Sequence, residues 1–165
     1  MCITQLSHKF TDHEASKKFI LAGNAVFTVR NENTQNRFTF KMTRKKYQAE
    51  HEQPLYWVKV LTRSDNASDD SYMFIGAFSM AKGFTHSLKS HITASATSVK
   101  VARYYLNLLF NDTLPTFIYT YHEGYCGRCG RLLTVPESIE SGFGPECVKL
   151  MAKPIHQPNY SFQFQ

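Results

Sequence analysis

Cys126, Cys129 and Cys147 are three of the chain's four cysteines, and their setting is that of a metal clamp. Cys126 and Cys129 form a C-x-x-C pair, with Gly127 inside it and Gly130 directly after. Glycine lets the backbone turn tightly enough for both sulfurs to face one point. Cys147 follows behind Gly142, Gly144 and Pro145. Gly-Pro-Glu-Cys reads as the entry to a short helix, with Pro145 in its first turn and Cys147 near its N-terminus. There the helix dipole favours a thiolate over a thiol, as metal ligation requires. Three thiolates leave one tetrahedral position, and His122, just ahead of Cys126, is expected to fill it. Cys2 and His156 are the reserve candidates. The expected centre is a closed, structural Zn2+ site of composition Cys3His: His122, Cys126, Cys129 and Cys147.

Two plainer readings compete with this one. The C-x-x-C pair could be a redox dithiol, but such a pair opens a helix in a thioredoxin-like unit, and no such unit precedes it here. His122 could be a hydrogen-bonded histidine at a strand end. The spacing favours the metal in both cases.

The surrounding segment reads His122-Glu123-Gly124, Cys126-Gly127, Cys129-Gly130-Arg131, Leu133-Thr134, Pro136-Glu137-Ser138-Ile139, then Gly142, Gly144-Pro145 and Cys147. It resembles an uncharacterised family of small bacteriophage and prophage proteins whose C-terminal zinc-finger-like segment carries these residues in this order. The resemblance is specific over residues 119–148, shows no departure within the motif, and is fainter around residues 24–40 and 55–76. It implies a phage or prophage origin and a zinc-binding tail, and it carries no established reaction.

Other chemistry is disfavoured by spacing. A zinc deaminase needs H-x-E, a distant P-C-x-x-C and an open coordination position, whereas Glu123 directly follows His122 and the cysteines come at once. A closed four-ligand site also lacks the vacancy that metal catalysis uses. No G-x-x-x-x-G-K-[ST], H-E-x-x-H or G-x-S-x-G occurs. The chain is accordingly expected not to be an enzyme, a metal-dependent nuclease being the last-ranked alternative.

The elements that must position these residues follow from periodicity. A helix is expected from Asp12 to Ala22, capped by Thr11 with Glu14 as its capping-box partner, and packing through Phe19 and Ile20. Residues 24–43 then switch to period two around the turn NENTQN. They form a hairpin with Phe27, Val29, Phe38 and Phe40 on one face and Arg30, Arg37 and Lys41 on the other. Leu55–Leu61 is a third strand, with Trp57, Lys59 and Leu61 opposing Tyr56, Val58 and Val60. Tyr72–Phe78 is a fourth, with a bulge expected near Gly76. Residues 79–97 read as loop with at most a short strand. A helix over Ser98–Phe110, capped by Thr97 or Ser95, covers the sheet. Phe117–Tyr121 is a strand that delivers His122 to the metal site. The expected class is α+β: an antiparallel meander of about four strands with two packing helices, plus a small zinc-knuckle or treble-clef-like module. The expected divisions are a core domain at 1–118, the zinc module at 119–152 and a tail at 153–165.

The net charge of +6 and pI near 9.2 suit attraction to a polyanion. Arg30, Arg37, Lys41, Arg44, Lys45 and Lys46, with Arg128 and Arg131 on the knuckle, are the candidate contacts. A Cys3His zinc centre carries a formal charge of minus one, so Arg128, Arg131 and Lys149 could equally be its counter-charges. The cysteine pattern argues for a reducing compartment rather than a disulfide framework. With no signal-like or membrane-spanning run, a soluble protein of the host cytoplasm is expected, with no membrane partner and no small-molecule substrate. The expected function is non-enzymatic binding of nucleic acid or a nucleoprotein complex. Its alternative is inhibition of a host defence or transcription complex, of anti-CRISPR, anti-restriction or RNA-polymerase-binding type.

Overall fold

A computed structural model describes residues 8–46 and 52–152. Its centre is a seven-stranded, wholly antiparallel sheet in the order β1-β7-β2-β3-β4-β5-β6. The strands are β1 (His8–Lys9), β2 (Asn24–Asn31), β3 (Arg37–Arg44), β4 (Tyr56–Leu61), β5 (Tyr72–Ser79), β6 (Gly83–His86) and β7 (Ile118–His122). Strands β2 to β6 form the expected meander, extended by one short strand. The count exceeds the expected four because β1 and β6 are too short to show a period, and because β7 enters beside β2. The helices are α1 (His13–Ile20), α2 (Thr97–Phe110), α3 (Pro136–Ser141) and α4 (Pro145–Ala152).

The β2–β3 register pairs Phe27 with Phe40 and Val29 with Phe38, so the alternation read from the sequence sets which face is buried. Phe27, Phe40, Met42, Val58, Ile75 and Phe78 join Val99, Ala102, Tyr105, Leu106 and Leu109 of α2 in one core. Tyr105 is fully enclosed, and its hydroxyl hydrogen-bonds the Thr120 hydroxyl, tying α2 to β7. Burial pushes the Tyr105 phenol far above its ordinary range, so it stays protonated.

Two helix caps differ from expectation. Asp12, not Thr11, caps α1, its carboxylate accepting from the Ala15 N–H at 2.7 Å. Helix α2 begins after Ala96 with no side-chain cap, so neither Thr97 nor Ser95 serves. Its apolar stripe anchors it without one.

The bulge lies between β4 and β5. Val58 pairs with Gly76 and Lys59 with Phe74, leaving Ile75 as the extra residue. Phe74 and Ala77 therefore oppose Lys59 and Trp57 on one face, although they are an odd number of residues apart. Gly76 is fixed by its neighbour strand, because a Cβ there would lie 2.2 Å from the Thr85 carbonyl oxygen.

The expected boundary after residue 118 falls inside β7, which pairs with both β1 and β2. The core that holds the sheet residues also includes Cys126, Leu133, Phe143 and Cys147. Among the described residues, no helix is long and apolar enough to cross a membrane. The expected tail at 153–165 lies outside the described residues.

Candidate functional site

Strand β7 leads into a tight turn. The Gly130 N–H donates to the Cys126 carbonyl at 2.9 Å, and the Cys126 N–H donates to the Arg131 carbonyl at 2.8 Å. Tyr125 and Leu132 form a β-bridge that closes this small loop. The Gly127 N–H then bonds the Gly142 carbonyl at 3.0 Å, and the Asn24 N–H bonds the Gly127 carbonyl at 2.8 Å. These bonds fix the turn against both the segment after α3 and the start of β2.

Phe19 of α1 explains two of the glycines. A Cβ on Gly127 would come within 2.7 Å of its ring, and one on Gly142 within 2.8 Å. Gly142 also ends α3 with φ +81°, a conformation that favours glycine. The aromatic ring is therefore seated on two bare backbone segments, and a side chain at either would push the turn off the core.

This arrangement gathers the sulfurs of Cys126, Cys129 and Cys147 to within 4.8 Å of one another, with Cys126 and Cys147 buried and Cys129 exposed. Cys147 stands in the first turn of α4, which Pro145 opens as expected. Burial raises the Cys126 thiol, but the N–H groups of Cys129, Gly144 and Arg128 outweigh it and the net shift favours the thiolate. Cys147 shifts the other way. Burial pushes it up and the neighbouring cysteine sulfurs add to this, against the Arg128 guanidinium, whose Nη1 lies 3.9 Å from its Sγ. Three soft donors crowded so closely resist joint ionisation, and a cation among them would relieve that. The donor set and its geometry fit a thiolate-bound metal ion.

His122, expected as the fourth ligand, lies outside the group formed by the three sulfurs. The imidazole is fully buried, ringed by His8, Phe10 and Phe19 at centroid distances of 5.4 to 5.7 Å. Its Nδ1 accepts the Gly124 N–H at 3.0 Å, so Nε2 carries the proton and donates to the Ile139 carbonyl. Burial holds its pKa below the ordinary value and keeps it neutral. Both nitrogens are spent on backbone, Nδ1 on the turn that follows β7 and Nε2 on α3, so ligation would orphan a backbone group in the core. The reserves Cys2 and His156 lie outside the described residues.

The cationic candidates divide into three groups. Lys41, Arg44, Lys45 and Lys46 line one cavity of about 630 Å³, together with Lys59, Trp57 and Asp69. Arg30 and Arg37 pair across the far end of the hairpin, where Arg30 bonds Gln35 and approaches Glu32 at 3.9 Å. Arg128 is turned to Cys147, and Arg131 is exposed. Lys149 pairs with Glu146 at 3.4 Å rather than with a sulfur.

Lys59 and Trp57 are absent from the residues the sequence singled out for binding. The signal for them is parity. Lys41 and Lys59 face one another across β3 and β4, as do Thr43 and Trp57, so the alternation of both strands places them on the face away from the core. A second cavity, lined by Tyr125, Cys129 and Gly130, shares Asn24 and Lys41 with the first. The exposed cysteine of the cluster thus borders the cationic face.

Residues 119–152 match a family of unknown function (DUF6011). No curated protein and no solved structure matches the chain.

Proposed function

We propose that this chain is a non-enzymatic nucleic-acid-binding protein in which a structural Zn2+ ion, held by Cys126, Cys129 and Cys147, stiffens the wall of a cationic binding face. The observation that carries this reading is the cavity on the outer side of β3 and β4. Five cationic side chains, Lys41, Arg44, Lys45, Lys46 and Lys59, line it against one carboxylate, Asp69. Asp69 is already paired with Lys41, which holds its carboxyl below the usual range by hydrogen bonding and by charge. The excess of positive charge is concentrated in a concave surface, where it attracts phosphates most strongly.

Zinc is the metal of choice for a thiolate-rich site built on a C-x-x-C turn. Two sulfurs about 2.3 Å from a tetrahedral zinc lie roughly 3.8 Å apart, which is compatible with the observed cluster. Three cysteines supply three of the four positions, and Arg128 offsets part of their charge. The phage-protein resemblance of residues 119–148 is the ground for placing the protein in an infected host cell.

The test is an electrophoretic mobility shift of full-length, zinc-loaded protein with DNA and RNA at two salt concentrations. Binding is expected at low salt and should weaken steeply as salt rises. A protein that shifts no nucleic acid at low salt, yet retains a partner from nuclease-treated host lysate, would instead be a protein-binding inhibitor of a host complex. Product formed with magnesium or manganese would make it a nuclease.

A further inference from the structure

Trp57 is the chain's single tryptophan, and it does not serve the core. It lies on β4, between the buried Tyr56 and Val58, and faces the opposite way. It lines the cationic cavity and keeps partial exposure, although a tryptophan in the core would bury more apolar area than any other side chain. The ring is nonetheless held in place. Phe74 packs edge-on against it, with centroids 5.9 Å apart and planes at 77°. That contact exists because the bulge at Ile75 brings Phe74 beside Lys59 on the outer face. The result is a fixed indole among lysines and an arginine, with small residues at the rim where Gly23 and Asn24 enter β2.

Resting on the nucleic-acid reading above, we propose that the occupant of this cavity is single-stranded nucleic acid, with one unpaired base stacked on Trp57 and the flanking phosphates held by Lys59, Arg44 and Lys45. A duplex shows its phosphates and groove edges, and its base faces are already stacked on one another, so it has no use for a fixed indole. A single strand offers a π-face at every base, and an aromatic platform in a cationic groove is the arrangement that reads it. Lys41 contributes less to phosphate, because it is paired with Asp69 and sits 5.6 Å over the Tyr72 ring.

The single tryptophan makes the test direct. Zinc-loaded full-length protein is titrated with an oligothymidylate of about 12 nucleotides, with a duplex of the same length and with inorganic polyphosphate, and tryptophan emission is followed beside anisotropy of the labelled probe. The oligothymidylate should cut emission by about half or more and bind more tightly than the duplex. Polyphosphate should bind with little change in emission. Trp57→Leu should weaken oligothymidylate binding by roughly 10-fold, and Trp57→Phe by no more than about 3-fold. Both variants should leave polyphosphate binding within about twofold. Lys59→Ala should weaken both probes. Circular dichroism and metal content confirm that each variant is folded. Oligothymidylate binding without loss of emission, or a duplex bound equally well, overturns the stacking proposal while leaving the cationic face in place. Failure of every polyanion to bind overturns both.

Discussion

The cysteine cluster and the Trp57 cavity border one another, yet they are built in opposite ways. Cys126 and Cys129 are brought together by one tight turn, and Cys147 arrives on the helix that closes the same segment. Local backbone geometry accounts for nearly all of that site. The cavity draws instead on β3, β4 and the turn before β5, so its lining exists only when two strand registers are correct. A slip of one residue in β4 would send Lys59 and Trp57 into the core and Val58 and Val60 out. The cavity thus holds its geometry by packing, whereas the cluster, whose three sulfurs could hold a metal ion, is proposed to hold it by coordination. Asn24 joins them, bonding the knuckle through its N–H and lining both cavities.

The sharpest way to break the contrast is to remove the metal. Cys129→Ser, or treatment with a strong chelator, should release the ion and cost on the order of several kcal/mol, since metal binding and folding of such a segment are coupled. For a chain of this length that loss corresponds to a fall of roughly 10 °C or more in the thermal midpoint. Metal analysis and a thermal melt check both. Because Cys129 borders the cationic face, nucleic-acid affinity should fall as well. Unchanged melting after the ion is removed would show that packing alone holds the segment.

Gly127→Ala tests whether the knuckle depends on the core beneath it. The new methyl would meet the Phe19 ring at 2.7 Å, and a loss of about 1–3 kcal/mol in denaturant unfolding is expected. Pairing it with Phe19→Leu, which makes room, should recover part of that loss.

His122→Gln separates a ligand from a structural hydrogen-bonding group. Metal content should stay that of the parent protein, whereas stability should drop by about 1–3 kcal/mol as a buried bond is lost. The pH dependence has a definite sign. With the folded-state pKa held below the unfolded value of about 6.5, the unfolded chain takes up the proton first. Stability from this group is complete above pH about 6.5 and declines as pH falls below it. The parent should therefore lose more stability than the glutamine variant between neutral and mildly acidic pH. Loss of metal in the variant would restore the histidine as a ligand.

The smallest effect is expected at the far end of the hairpin. Arg30→Ala should change nucleic-acid affinity by less than about twofold, because its guanidinium is engaged by Gln35 and Glu32 away from the cavity. Lys45→Ala, on the cavity wall, should reduce affinity several-fold and lower the salt dependence by about one counterion. Anisotropy titrations at several salt concentrations distinguish the two.

By itself the sequence determined what short-range geometry controls. The C-x-x-C turn, the proline that opens α4, the hairpin faces around Phe27 and Phe40, and the parity of Trp57 and Lys59 all follow from periods and spacings of a few residues. Only the tertiary structure decided the rest. It set β7 between β1 and β2, and that placement buries His122 among aromatic rings and commits both its nitrogens to backbone. It drew Lys59 to Lys41, separated Arg30 and Arg37 from the lysines beyond Arg44, and seated Phe19 on Gly127 and Gly142. These outcomes depend on which distant segments pack together, and that is fixed by the sum of burial over the whole chain rather than by any local pattern.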